Sequence, residues 1–250
     1  MLHEQNAVMG RANKMLASRV NAIAGGFLAR GDNPFSSKIY ETGNPVRPAV
    51  LEAAAVAYRQ RQPRDPFHLL IFGGSQGAHF FADAVPDALE ALADDLRPLF
   101  RVTQQARPED VDDVRARFSE LGVEADVSPF FSDMPRRIAE ADYVVCRSGA
   151  STVSEISVIG RPAVYVPYPH ALDHDQAANA ALVSANGGAE VVRQSELTDT
   201  RFTELLTEAV NDPDKMQIAA AAAKKAGKPD ATARLADMAE ALASRTAIEG

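Results

Sequence analysis

From Phe67 onward, short apolar and β-branched runs alternate with longer stretches whose apolar residues recur at helical spacing. That alternation marks a parallel sheet covered by helices. The runs Phe67–Phe72, Leu99–Thr103, Ala125–Pro129, Tyr143–Arg147, Ala163–Val166 and Glu190–Arg193 predict strands. Their near-continuous apolar character suits strands buried on both faces. Between them, Ala78–Ala93, Pro108–Leu121, Met134–Ala139, Ser151–Ile159, Asp175–Ala185 and Arg201–Asn211 predict helices. The fold class is α/β, with one doubly wound, Rossmann-like parallel-sheet domain.

The front of the chain does not fit that domain. Asn6–Ala17 predicts a helix, Val20–Ala24 and Lys38–Glu41 short strands, and Gly43-Asn44-Pro45 a turn. Two strands do not make an independently stable sheet. The polar cluster His3-Glu4-Gln5-Asn6 also has no strand predicted ahead of it, whereas such clusters in α/β folds follow a strand. The expectation is therefore a remnant of a second domain over residues 1–43 and a complete domain over 44–229. Asp230–Ala247 predicts a helix, set apart by Lys228-Pro229-Asp230, with Leu235, Met238 and Leu242 on one face. Residues 230–250 are expected to pack back on the first segment.

Composition narrows the function classes. With 250 residues, 46 % apolar and 24 % charged, the chain has an ordinary globular make-up. A formal charge of −8 argues against a nucleic-acid partner, since little would neutralise a row of phosphates. The single cysteine, Cys146, cannot form an internal disulfide and ends a buried strand, which makes it a core residue. The longest apolar runs, Ala22–Ala29 and Ile218–Ala223, are too short to span a bilayer. The first residues lack a signal-peptide pattern. The expected location is cytoplasmic.

Four segments could carry chemistry. Gly73-Gly74-Ser75-Gln76-Gly77-Ala78 follows a predicted strand and opens a predicted helix. Its glycines would let backbone N–H groups approach a phosphate, although a tight turn needing glycine for packing meets the same pattern. It is not the dinucleotide fingerprint, and no acidic residue follows at the ribose-binding spacing. Cys146–Glu155 forms a second strand–loop–helix corner, where Ser151 can cap the helix and Glu155 stands in about its first turn. Glu155 could accept both hydroxyls of a ribose diol, or merely complement the helix dipole. His170-Ala171-Leu172-Asp173-His174-Asp175-Gln176 reads as a polar ligand loop rather than a metal site, because histidines four apart converge only on a helix. His3-Glu4-Gln5-Asn6 could hold a general base or hydroxyl-binding groups. Three of these segments fall at carboxyl ends of strands, where doubly wound folds bind ligands. The residues alone lead to a nucleotide- or phosphosugar-binding α/β domain.

The ordered motifs LHEQNAVMGRANK, TGNPVR, FGGSQGA, CRSGASTVSE and DQAANA closely resemble the MurG family of bacterial cell-wall glycosyltransferases, from Leu2 to the last helix. The resemblance implies a GT-B fold and transfer of GlcNAc from UDP-GlcNAc to a lipid-linked muramyl-pentapeptide, lipid I, to give lipid II. It implies no cofactor and no metal. By the same likeness, Arg47 and Ser75 would contact the donor diphosphate region, Gln76 would belong to the same donor site, and Ser148, Gly149 and Ala150 would line the phosphates. Phe131 backbone groups would hold the uracil with Met134 nearby, and Glu155 the ribose. Gln176, with Asn179 behind it, would bind the GlcNAc hydroxyls. His3, Glu4 and Asn6 would belong to the acceptor side, with His3 and Glu4 the candidate catalytic groups.

The chain also departs from the family. Asp175 stands where relatives carry His or Gln. The glycine-rich GGTGGH-type loop that supplies a proposed base is absent, as is the surface by which the family touches the cytoplasmic face of the inner membrane. Met1 stands in place of the residue before the LHEQN motif. These departures predict a truncated chain that holds the donor site, with a catalytically incomplete UDP-sugar-binding module as the alternative.

Overall fold

Three short strands at the front of the chain, β1 (Leu2–Glu4), β2 (Ile23–Gly25) and β3 (Ile39–Tyr40), pair in parallel in the order β1-β2-β3. The computed structural model describes residues 1–31, 34–169 and 175–248, and of residues 75–78 the backbone only. His3 and Glu4 thus lie on a strand, with Gln5 and Asn6 on the loop after it, which corrects the expectation that no strand leads into this cluster. The register His3↔Ala24 and Glu4↔Gly25 is carried by main-chain groups, so polar side chains do not prevent it.

The helix that follows, α1 (Arg11–Ala17), is shorter than Asn6–Ala17. The Glu4 carboxylate accepts the amides of Asn6 and Gly10 at 3.1 and 2.9 Å and draws that stretch into a loop. Side chains of β2 alternate between faces, as strand geometry requires. Ile23 packs with Met9, Ala17, Leu28 and Ile39. On the other face, Ala22 and Ala24 meet Met238 of the C-terminal helix, with Leu235 and Leu242 beside it.

After α2 (Pro48–Ala53) the chain builds a second parallel sheet from β4 (Phe67–Phe72), β5 (Phe100–Gln105), β6 (Glu124–Ser128), β7 (Tyr143–Cys146), β8 (Ala163–Tyr165) and β9 (Ala189–Val191). The order is β6-β5-β4-β7-β8-β9 among the described residues. It is covered by α3 (Gly74–Glu90), α4 (Val111–Glu120), α5 (Met134–Glu140), α6 (Ala150–Ile159), α7 (Asp175–Ala185), α8 (Asp199–Asn211) and α9 (Pro213–Ala226), with α10 (Ala231–Ser244) closing the chain. The sequence order reverses between β4 and β7, which makes that gap the switch point of a doubly wound sheet.

Burial explains why the large sheet reads so clearly. Along β7, Tyr143 and Val145 join one core with Phe81, Val85, Phe118 and Phe202, while Val144 and Cys146 join another with Ile138, Val153 and Ile156. Both faces are dry, so every residue of β7 is buried. The α8 and α9 starts are set by side-chain caps, Thr198 accepting from Arg201 N at 3.2 Å and Asp212 from Lys215 N at 2.9 Å.

The two sheets are joined by two crossings of the chain that lie side by side. Gly43 has φ +82°, and a Cβ there would come within 2.7 Å of the Lys228 side chain. Only glycine tolerates both the backbone and the contact.

Candidate functional site

The site is assembled from loops at the carboxyl ends of β4, β5, β6, β7 and β8, around the switch point. After β4, Gly74 takes φ +65° and begins α3, with Gly73 at the N-cap. The helix thus starts four residues before the expected Ala78, and the backbone of Ser75, Gln76 and Gly77 lies within its first turns. Free N–H groups at such an end suit an anion.

Gln105, at the end of β5, ties three strand ends together. Its Oε1 accepts from Gly74 N at 3.2 Å and its Nε2 donates to Pro129 O at 3.0 Å. A cleft of about 570 Å³ opens here, lined by Gly74, Gln105, Arg107, Pro108, Glu109 and Phe130 among others. Phe130 is 73 % exposed, whereas Phe131 is buried under the Arg137 guanidinium, 4.1 Å from its ring centre. Met134 opens α5 three residues further on. Asp133, between them, is lowered to about 2 by hydrogen bonds from Arg137 and Arg136.

The β7–α6 corner carries Arg147, Ser148, Gly149 and Ala150. The N-cap of α6 is Gly149, without a side-chain cap, so Ser151 does not cap the helix. Glu155 falls in the second turn rather than the first, too far along to serve chiefly as a dipole partner. Its carboxylate instead accepts two hydrogen bonds from Arg47, Nε to Oε1 and Nη2 to Oε2, both at 3.0 Å. Arg47 is the N-cap residue of α2, and the pair is 60 % and 16 % exposed respectively. Two residues expected to hold a donor therefore hold each other.

Gln176 stands in the first turn of α7, where its Oε1 accepts from Tyr168 N at 2.9 Å. Asn179, one turn on, is fully buried. Its Oδ1 accepts from Ala7 N at 2.8 Å, and its Nδ2 donates to Asn6 Oδ1 at 3.1 Å and Ser148 O at 3.3 Å. The loop from His170 to His174 lies outside the described residues, and so does its reading as a polar ligand loop.

Glu4, on the small sheet, is 4 % exposed. Besides the two loop amides, it accepts from Asn13 Nδ2 at 2.8 Å. Its carboxylate is occupied in shaping the loop that bears Asn6. His3 Nε2 is buried and has no hydrogen-bond partner.

Two further residues escaped the sequence reading. Gln105 is one. Arg147 is the other, buried beneath the rings of Phe80, Phe81 and Tyr168 and donating to Val166 O, Pro167 O and Gln194 Oε1. It fixes the loop after β8, and burial holds its pKa below the usual arginine value. A basic residue closing the apolar run Tyr143–Cys146 was the available signal.

Residues 68–235 match the glycosyltransferase family 28 C-terminal domain. The chain belongs to that family. It is 62 % identical over 98 % of its length to a Rhizobium etli protein named UDP-N-acetylglucosamine--N-acetylmuramyl-(pentapeptide) pyrophosphoryl-undecaprenol N-acetylglucosamine transferase. A Rhizobium meliloti protein of the same name is 60 % identical over 99 % of the chain. The chain spans 65 % of the length of the first of these relatives and 66 % of the second. Among solved structures, Acinetobacter baumannii MurG superposes with a TM-score of 0.79 at 29 % identity, covering 96 % of this chain and 67 % of that one. This family 28 chain therefore has the GT-B type of α/β architecture.

Proposed function

We propose that this chain binds UDP-GlcNAc and serves the transfer of GlcNAc to undecaprenyl-diphospho-N-acetylmuramoyl-pentapeptide, lipid I, giving lipid II. The observation that carries this reading is the 62 % identity, over 98 % of the chain, to a relative named for that transfer. The geometry supports it, since the expected donor residues converge on the carboxyl ends of β4, β6, β7 and β8. In this reading the diphosphate lies against the N-termini of α3 and α6, near Ser75, Gln76 and Ser148–Ala150, and takes the Arg47 guanidinium. The uracil lies along Phe131 and Met134, the ribose hydroxyls bind Glu155, and Gln176 binds the sugar. To do so the donor must part the largely exposed Arg47 from Glu155, and the ribose hydroxyls replace the hydrogen bonds the carboxylate gives up.

The reaction is an inverting displacement. The acceptor hydroxyl oxygen bonds to the anomeric carbon as the bond to the diphosphate breaks. A base takes the hydroxyl proton, and UDP departs with the electron pair. Helix N-termini and Arg47 stabilise the charge that develops on the leaving group. The domain division at residues 43/44 and 229/230 belongs to the same proposal, with the acceptor side on the small sheet. So does work at the cytoplasmic face of the inner membrane: among the described residues no helix is long and apolar enough to cross a membrane, and contact would be peripheral.

A second reading, a UDP-sugar-binding module without transfer, is favoured by one observation: the Glu4 carboxylate is already committed to Asn6, Gly10 and Asn13. Incubating the chain with UDP-GlcNAc and a short-chain lipid I analogue separates the two. UDP release coupled to a disaccharide product supports the transferase. Donor binding without release supports the module, and absence of donor binding contradicts both.

A further inference from the structure

The cleft between α3 and the segment after β6 has two walls that are held separately. The start of α3 continues from β4, and its N-cap is Gly73, which has no side chain to cap the helix. The Ser128–Phe131 turn is shaped by contacts of its own. Ser128 Oγ donates to Phe130 O at 3.0 Å, and the Arg137 guanidinium lies over the Phe131 ring. Ala106 N donates to Ser128 O at 3.2 Å and holds the root of the turn to the end of β5. These contacts set the turn's shape and root, and none of them reaches α3.

Gln105 reaches both walls. Its Oε1 accepts the Gly74 amide, one of the N–H groups that a helix start leaves without an intrahelical partner. Its Nε2 donates to Pro129 O. The side chain thus serves as the cap that Gly73 cannot provide, and leaves the later amides of the first turn to an anion. Both bonds face water in the free chain. Water competes for the same groups, so the bridge adds little to the stability of the empty fold. A ligand that covers the cleft excludes this water and strengthens the hydrogen bonds beneath it. The bridge therefore counts most when a ligand spans both walls. A joined ligand gains from its second contact only where the two subsites stand at a matching separation. Presetting that separation removes an ordering cost from binding.

We propose that Gln105 is a positioning residue that sets the separation between the diphosphate subsite at α3 and the base subsite at the Pro129–Phe131 turn, and so favours a ligand in which both groups are joined, a nucleoside diphosphate. This rests on the donor reading given above for Ser75 and Phe131. Gln105 acts through the two backbone segments and not on the sugar or the reacting atoms. One amide hydrogen and one lone pair of its side chain are left over for a direct contact with the base, an alternative that the test separates.

Three probes binding to the full chain test it: UDP, uridine alone and inorganic pyrophosphate alone, in the wild type, Gln105→Met and Gln105→Asn. Methionine keeps the length and makes no bridge, while asparagine keeps the amide on a chain one carbon too short to reach both partners. The melting temperature of each free variant should stay within about 2 °C of the wild type, as for a surface substitution. UDP should bind both variants about tenfold more weakly in a calorimetric titration. Uridine, followed at the Phe131 amide, and pyrophosphate, followed at the Ser75 amide, should each keep their wild-type affinity within about twofold. Unchanged UDP affinity in Gln105→Met overturns the bridge and leaves the donor site standing. A loss of uridine affinity that parallels the loss of UDP makes Gln105 a direct base contact and overturns it as well. A much lower melting temperature with all three probes weakened together marks a purely structural role, with the same consequence. So does a wild-type chain that binds UDP while either fragment leaves its amide unmoved. If folded wild-type chain binds no UDP, the donor reading fails and the bridge with it. Should Gln105→Met not fold, Gln105→Asn decides by the same comparison.

Discussion

The large and small sheets are both parallel, but they are held in different ways. The large one is sandwiched between two dry cores, and its central strand β7 shows no residue to solvent. The small one has three strands of two or three residues and a core of Met9, Ala17, Ile23, Leu28 and Ile39. Met15 and Leu16 are exposed on its helix, and its second face is closed by α10, which arrives from the far end of the chain. Apolar burial specifies the first region. The second depends on long-range docking and on polar stitches through Glu4, Asn44 and Asn179. A small sheet with little buried area opens locally at lower free energy than a core strand does.

Phe202→Ala should produce the largest effect, about 3–5 kcal/mol off global stability in urea unfolding, because the ring is fully buried against the large sheet. Met238→Ala should cost about 2–4 kcal/mol, but locally. Amide exchange should rise in α10, β2 and β3 while β4 and β7 stay protected. Equal acceleration in β4 would mean that the two regions form one cooperative unit. Glu155→Gln should change stability of the free chain by less than about 1 kcal/mol, since its partner Arg47 is largely in water. The same variant should weaken UDP-GlcNAc binding about tenfold or more in a calorimetric titration.

The smallest effect concerns pH. Arg137 and Arg136 depress Asp133 from 3.8 to about 2, so its contribution is complete above pH 4 and is lost as pH falls from about 4 to 2. The Phe130–Asp133 turn should loosen in that window, visible as changed amide shifts at Phe131 and Met134. An unchanged turn down to pH 2 would show that the ion pairs do not hold it.

The same contrast governs what the sequence revealed. Phe67–Phe72 emerges as a strand with both ends correct, because its run of apolar residues is buried on both faces and broken only by the exposed His68 near its start. Leu2–Glu4 does not, since two of its three side chains are polar and only main-chain pairing with β2 makes it a strand. The helix expected from Asn6 starts at Arg11 because Glu4 captures the intervening amides. Ser151 looked like a cap by residue type, yet the chain enters α6 two residues earlier than that requires, at Gly149. Glycine-rich and polar loops at strand ends could be located in advance. Their partners could not: Arg47 meets Glu155 across 108 positions, and Ala7 meets Asn179 across 172, contacts that exist only once the lobes have docked.

The most direct test of the donor site is the melting temperature of the chain as UDP-GlcNAc is added, alongside Arg47→Ala and Glu155→Ala. At a hundredfold excess over Kd, linkage gives about 2.7 kcal/mol of stabilisation. For a chain of this size that is a rise of about 5–10 °C. The account predicts this rise in the wild type and its loss in both variants. A folded wild-type chain whose melting temperature ignores UDP-GlcNAc, or variants that respond as strongly as it does, would contradict it.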